Sequence, residues 1–292
     1  MDISEWIDLH VHIGPEILPR RFTVQQIIEQ ERGKIRGMAL KNHCYPTMPL
    51  IKSATVPDDF LLIGSVVLNN YNGGLNADAV YASSEISKYP LIVWFPTINA
   101  RNFLEKSRYE IPPEWVGENF VSRLSRDVPN ISVLDNQGNL SAEARKVLKI
   151  IKKKECILAT GHLSWQETRK MVQEAVKMKI GKIIITHPIY QRIDMPLEVQ
   201  QELAKNKGVY IEQCYSMYSI DKIPLGKITE QIKSIGAEKC IISSDVGQVN
   251  SPSPSEAIRK FAELLIDNGL SEKNIETMGK DNPRKLIAFE KR

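Results

Sequence analysis

Eight short runs rich in β-branched and other apolar residues recur along the chain, at 6–12, 37–43, 61–68, 91–97, 156–161, 182–187, 209–214 and 240–245, with segments of helical period between most of them. Strands alternating with helices make βα units, whose strands pair in parallel. Eight such units in succession predict an α/β fold closed into a (β/α)8 barrel. A doubly wound open sheet would want a glycine-rich phosphate loop after a strand, and no GxGxxG follows any of the runs. Two helix starts are written out in full: Thr23-Val-Gln-Gln26 and Ser164-Trp-Gln-Glu167 each carry the hydroxyl and the third-position amide or carboxylate of a capping box. A chain of 292 residues suits one barrel, so residues 1–292 are expected to form a single domain.

One stretch breaks the rhythm. Residues 98–140 are long, polar and interrupted by Pro112-Pro113, with a short apolar piece at Ile131–Asp135 and a turn at Asn136-Gln-Gly138. This predicts an insertion between strands four and five, lying over the barrel mouth and ending in a hairpin before a helix at 141–153. The lysines of that helix alternate with Val147, Leu148, Ile150 and Ile151, the spacing of an amphipathic helix with a solvated basic face. Net charge is only +4, spread without a dominant block, so no nucleic-acid partner is expected. Cys44, Cys156, Cys214 and Cys240 lie far apart with no CxxC, which argues against a zinc ribbon or a disulfide framework and for a reducing compartment. With no signal-peptide pattern and no apolar run of membrane length, a cytoplasmic location is expected.

All five histidines fall at the downstream ends of strand-like runs: His10 and His12 on the first, then His43, His162 and His187. The carboxyl-terminal ends of barrel strands converge on one mouth, and neutral imidazole is the commonest transition-metal ligand. Residues two apart on a strand project to one face, so His10 and His12 are expected together inside the barrel, with Asp8 on their face to hold a ring N–H. Asp245 closes the eighth run, next to the first strand in a closed barrel. An imidazole-rich set favours zinc, with manganese, iron or nickel as alternatives.

This pattern resembles the amidohydrolase superfamily of metal-dependent TIM-barrel hydrolases. Its motif is HxH at the end of strand one, a histidine after strand five, another after strand six and an aspartate after strand eight. His10, His12, His162, His187 and Asp245 match it in identity, strand and order, and Asp281-Asn-Pro-Arg-Lys-Leu286 is similar to its closing helix. The resemblance implies metal ligation by His10, His12, His162 and Asp245. His187 would be a second-metal ligand or orient the water, and Asp245 would act as general base. The implied activity is cleavage of a C–O or C–N bond (lactone, ester or amide) in a small anionic substrate, with one or two divalent ions. Related barrels also decarboxylate. By position, Lys41, His43, Arg101 and Arg192 are the candidates to receive substrate charge.

The departure lies at strand four. Binuclear relatives often carry there a lysine that becomes carboxylated and bridges two metals, but Leu91-Ile-Val-Trp-Phe-Pro-Thr97 has none. Lys41, at the end of strand two, is open to three roles: a carboxylated bridge, a clamp for a substrate anion, or a paired core lysine. The opening Asp8-Leu-His-Val-His12 also resembles the polymerase-and-histidinol-phosphatase family of phosphoesterases. That family expects an aspartate where Asn42 stands and an aspartate–x–histidine where Asp245-Val-Gly247 stands. A barrel that only stores metal is the non-enzymatic alternative, and it predicts no turnover. A homo-oligomer is compatible with all of these.

Overall fold

The computed structural model describes residues 1–116 and 120–288. Nine parallel strands follow in chain order: β1 (Ile7–His12), β2 (Gly37–Lys41), β3 (Leu61–Ile63), β4 (Ser65–Val67), β5 (Ile92–Trp94), β6 (Ile157–Ala159), β7 (Ile183–Ile185), β8 (Val209–Cys214) and β9 (Cys240–Ser243). β3 and β4 are two halves of one stave, interrupted at Gly64, so the nine make eight staves in sequence order. The ring closes where the chain beyond β9 meets β1. Asp245 N–H donates to His10 O at 2.8 Å, and His12 N–H donates to Val246 O at 2.8 Å. This is the expected (β/α)8 barrel.

Its core has two parts. A small cluster of Ile7, Leu9, Ala39, Ile63, Trp94 and Ile184 with their neighbours fills the lumen, while the alternate residues of the same strands join the larger cluster beneath the helices. Both predicted capping boxes form, on the helices Val24–Glu31 and Trp165–Lys177. The helix Ala142–Lys153 buries Val147, Leu148 and Ile151 and leaves Lys146, Lys149, Lys152 and Lys153 exposed. In the closing helix Asn282–Ile287, buried Asn282 donates its amide to Ala237 O and Cys240 O, which ties the carboxyl-terminal segment to the start of β9. Among the described residues, the four cysteines are free and buried, and no helix is long and apolar enough to cross a membrane.

The insertion after β5 packs as short pieces rather than one element. Buried Glu110 gathers Asn99 Nδ2 at 2.7 Å, Tyr71 Oη at 2.9 Å and Arg123 Nε at 2.8 Å, pinning it to the barrel. Leu134 and Leu140 form an antiparallel bridge around the turn at 136–138, the predicted hairpin. The helix Pro113–Val116 carries Trp115 to the barrel mouth.

Several staves end earlier than their apolar runs, because the chain leaves the ladder through left-handed backbone. Gly161 has φ +62°, and a Cβ there would lie 2.2 Å from Phe95 O. Gly247 has φ +137°, and a Cβ there would lie 2.2 Å from His12 O. His187 and Asp245 take φ +21° and +52°, a region that side chains other than glycine rarely occupy and that clusters at functional sites.

Candidate active site

The site is built on an irregularity in β1. Its register with β2 shifts between Asp8 and Val11. Ile7 and Leu9 face the lumen, whereas Val11 faces the helices. The alternation therefore switches within the strand, and both His10 and His12 lie on the lumen side above Leu9. This corrects the expected place of Asp8. Its carboxylate accepts the backbone N–H of His10 and of Ser244, both at 3.1 Å, and so staples β1 to the end of β9 instead of holding an imidazole. Burial pushes the Asp8 carboxyl up to about 7.

Glu212, inward-facing on β8, takes the role assigned to Asp8. His10 Nδ1 lies 3.2 Å from both of its oxygens, which turns Nε2 into the mouth. There His10 Nε2 and His12 Nε2 each stand 3.0 Å from the same Asp245 Oδ1. Asp245 Oδ2 accepts Ser216 Oγ–H at 2.7 Å and faces His187 Nε2 at 4.0 Å. His162 packs against His187 with ring centroids 5.2 Å apart, and the Nδ1 atoms of both rings are buried without a hydrogen-bond partner. The sequence-assigned set of His10, His12, His162, His187 and Asp245 is therefore brought together in one buried cluster.

Of the four candidates for substrate charge, two reach the cleft floor. Lys41, paired in register with His12, is buried and donates from Nζ to His10 Nε2 at 2.9 Å, with its ammonium 5.1 Å from the Trp94 ring. Trp94 itself lies on the fourth stave, the one without the lysine. His43 bonds Thr97 Oγ1 through Nδ1 at 2.9 Å and lies between His12 and Trp115, parallel to the indole within 7°. Arg192 sits at the rim, bonded to Tyr190 Oη and to Glu114 at 2.9 Å. Arg101 is not brought to the site. It is exposed and bonds Asn130, because the helix Arg101–Glu105 turns Asn102 and Phe103 inward instead. Asn102 then donates to His162 O and Arg192 O.

Sequence reasoning missed Arg20 and its partner Glu16, which reach the mouth through an irregular loop with no periodicity to read. Arg20 Nε donates to Glu16 at 3.0 Å and its Nη2 to His12 Nδ1 at 3.0 Å. It also missed Ser216 and Asp221, on the segment after β8. Glu212 did carry a signal, as the one carboxylate in the apolar run Val209–Cys214. The cleft between these groups is narrow, with a cavity volume of about 30 Å³, and Trp115 and Tyr190 form its aromatic walls.

The electrostatics suit a cation. Burial holds His12, His43 and His162 well below the ordinary imidazole range and His187 at about 4, so these rings are neutral lone-pair donors at neutral pH. Burial would raise Asp245, but the charge of His10 and the hydrogen bonds from His10 and His12 outweigh it and keep the carboxylate ionised. Burial pushes the Lys41 ammonium down, against the pull of Asp245 and Glu212. Burial likewise disfavours His10⁺, but Asp245 and Glu212 overcome it. The Lys41 ammonium, 2.9 Å from His10 Nε2, disfavours positive charge on that ring.

The spacing suits an ion as well. Ligand atoms about 2.1 Å from a common ion stand roughly 3–4 Å apart; His10 Nε2 and His12 Nε2 meet that spacing toward Asp245 Oδ1, but His12 is not among the ligand atoms that gather around His10 and Asp245. Ligand atoms of His10, His187 and Asp245 all lie within 4.8 Å of one another, and so do those of His10, Glu212 and Cys214. The first group faces the cleft; the second lies behind His10. Asn42, where the phosphoesterase pattern wants an aspartate, spends its amide on Ile13 O and Pro15 O and its oxygen on the N–H groups of Cys44 and Tyr45.

A model described as a family of unknown function (DUF6282) matches residues 5–212. A search of curated proteins returned no match. Among solved structures, an amidohydrolase from Pseudomonas aeruginosa matches with a TM-score of 0.58 at 9% identity, over 97% of this chain and 96% of its own. Dihydroorotase from Campylobacter jejuni matches with 0.53 at 13%, over 100% and 86%. A 2,6-dihydroxybenzoate decarboxylase from Rhizobium matches with 0.50 at 12%, over 98% of each chain. At such identities the likeness is one of fold, the (β/α)8 barrel that these enzymes share with this chain.

Proposed function

The chain belongs to the DUF6282 family, and we propose that it is a metal-dependent hydrolase of the amidohydrolase type, cleaving a C–O or C–N bond of a small anionic substrate. The observation that carries this is the convergence of His10 Nε2 and His12 Nε2 on one oxygen of Asp245, each at 3.0 Å, at the floor of a cleft lined by Lys41, His43, His162 and His187. His10, His12 and Asp245 would hold the first ion, with His187 and His162 completing its shell or serving a second. Zinc is the first candidate for an imidazole-rich set, then manganese, iron or nickel. A bound divalent ion supplies a water of lowered pKa and polarises the substrate's scissile oxygen.

The residues do the rest. Asp245, ionised and aimed by the Ser216 hydroxyl, takes the proton of the attacking water and returns it to the leaving oxygen or nitrogen. His187, neutral and facing the same carboxylate, orients that water where it does not itself hold an ion. Glu212 fixes the His10 tautomer so that its lone pair points into the cleft. Trp115, Tyr190 and His43 wall the substrate from solvent. Lys41 supplies positive charge at the floor, and Arg192 at the rim.

The test is reconstitution of the full chain with zinc, manganese, iron and nickel in turn, with bound metal counted and lactones, amides, esters and phosphate esters screened for hydrolysis. Aromatic carboxylates are screened for release of carbon dioxide, since the same barrel supports decarboxylation in the Rhizobium enzyme. Metal-dependent hydrolysis of a carboxylic substrate supports the proposal. Turnover of phosphate esters alone, of aromatic carboxylates alone, or of nothing while metal is bound would each replace it.

A further inference from the structure

His10 and His12 differ at the nitrogen that faces away from Asp245. Behind His10 stands an acceptor, Glu212, so Nδ1 carries a hydrogen and Nε2 is the nitrogen an ion would take, the arrangement that ligating histidines use. Behind His12 stands a donor. Arginine has no acceptor and stays protonated, so Arg20 Nη2, 3.0 Å from His12 Nδ1, forces the lone pair onto Nδ1 and the hydrogen onto Nε2. In that form His12 Nε2 donates to Asp245 Oδ1 and has no lone pair for an ion. Ligation by His12 requires Arg20 to leave Nδ1.

Arg20 is placed to leave. Its guanidinium is held by Glu16 through Nε at 3.0 Å and Nη2 at 3.4 Å, so it keeps a fixed pivot. Its side chain is only 3% exposed, yet it lines the cleft, and its Nη1 makes no hydrogen bond among the described residues. A planar guanidinium with free N–H groups at a cleft wall matches a carboxylate.

We propose that Arg20 is the substrate-carboxylate clamp, and that its transfer from His12 to the carboxylate makes metal binding and anion binding mutually reinforcing. The step is balanced. One hydrogen bond from Arg20 to His12 is exchanged for one to the carboxylate, and the hydrogen of His12 relocates from Nε2 to Nδ1 with no net proton taken up. By linkage, whatever the anion adds to metal affinity the metal adds to anion affinity. This inference rests on the metal-hydrolase reading and deepens it by naming the substrate as a carboxylate.

The test is zinc affinity of the full chain, by competition with a chromophoric chelator, with and without benzoate, a monocarboxylate that chelates poorly. In the wild type, benzoate is expected to tighten zinc by roughly tenfold, within the usual range of coupling between sites. Arg20→Gln, checked for folding by thermal melting, is expected to bind zinc more tightly than the wild type without benzoate and to lose the benzoate effect. An equal benzoate effect in both proteins would overturn the proposal, since the carboxylate would then act on the ion itself. So would the absence of any effect in the wild type, an arm that needs no variant to fold. Zinc bound without coupling sinks this inference alone; no zinc bound at all sinks the hydrolase reading and this with it.

Discussion

Glu212 grips His10 from behind while Asp245 meets it from the front: Nδ1 lies 3.2 Å from both Glu212 oxygens and Nε2 3.0 Å from Asp245 Oδ1. The ring is therefore fixed in rotation and in tautomer before any ion arrives. Glu212→Gln keeps the shape but can present an N–H to Nδ1, which spoils the tautomer. Metal affinity is expected to fall by roughly 10–100-fold, the usual cost of losing such a partner. Unchanged affinity in a chelator competition would exclude this role for Glu212.

Asp245→Asn removes the proposed base and keeps the side-chain outline. With metal supplied in excess, kcat is expected to drop by roughly 10²–10⁴-fold. Ser216→Ala, which loses only the 2.7 Å hydrogen bond to Oδ2, is expected to cost about tenfold, a charged hydrogen bond's worth. Full activity in the metal-loaded Asp245→Asn protein would rule out proton transfer through this carboxylate.

Lys41 competes with a cation for the His10 lone pair, at 2.9 Å. Lys41→Met should therefore bind its first ion more tightly than the wild type, on the order of tenfold for one like charge removed from a buried site. Metal counting separates the other roles. Loss of one of two ions would mean a carboxylated bridge, and an unchanged affinity with a raised KM would mean a substrate clamp.

Acid should loosen the metal-free chain through its histidines. Burial depresses His187 from 6.5 to about 4, so the unfolded chain binds the extra proton between those values. A depressed folded pKa gives stability that is complete above about 6.5 and is lost as pH falls towards 4, on the order of 3 kcal/mol for this ring. His12, His43 and His162 act in the same direction. Asp8, raised to about 7, acts in the opposite direction over pH 4–7 and offsets part of the loss. Melting temperature is expected to fall between pH 7 and pH 5, and His187→Gln should flatten the slope. A wild-type profile that rises on acidification would contradict these assignments.

What the sequence revealed, and what it hid, divides by physical cause. The staves, both capping boxes and the five ligand candidates were legible because period and strand-end position are local properties. The shift in β1 was not, since alternation in Ile7-Asp-Leu-His-Val-His12 cannot reveal where register with β2 slips. That slip moved the second carboxylate from Asp8 to Glu212. Arg101 was credited to the site and Arg20 overlooked for one reason: which way a loop residue faces is decided by packing. Phe103 buries against the barrel and turns Arg101 out, whereas buried Glu16 turns Arg20 in.

Gly247 has no side chain to offer the site, yet the cluster of His12 and Asp245 depends on it. Were a methyl group attached there, it would press on the His12 carbonyl from 2.2 Å away and on the His12 Cβ from 2.7 Å. The chain would have to spread at the seam where the barrel closes, by about an ångström, and that is the distance on which shared contact between His12 and Asp245 turns. Position 247 should therefore be as intolerant of change as the candidate ligands themselves. In a saturation library scored by bound metal, alanine at 247 would register alongside loss of an imidazole, although it removes no donor atom.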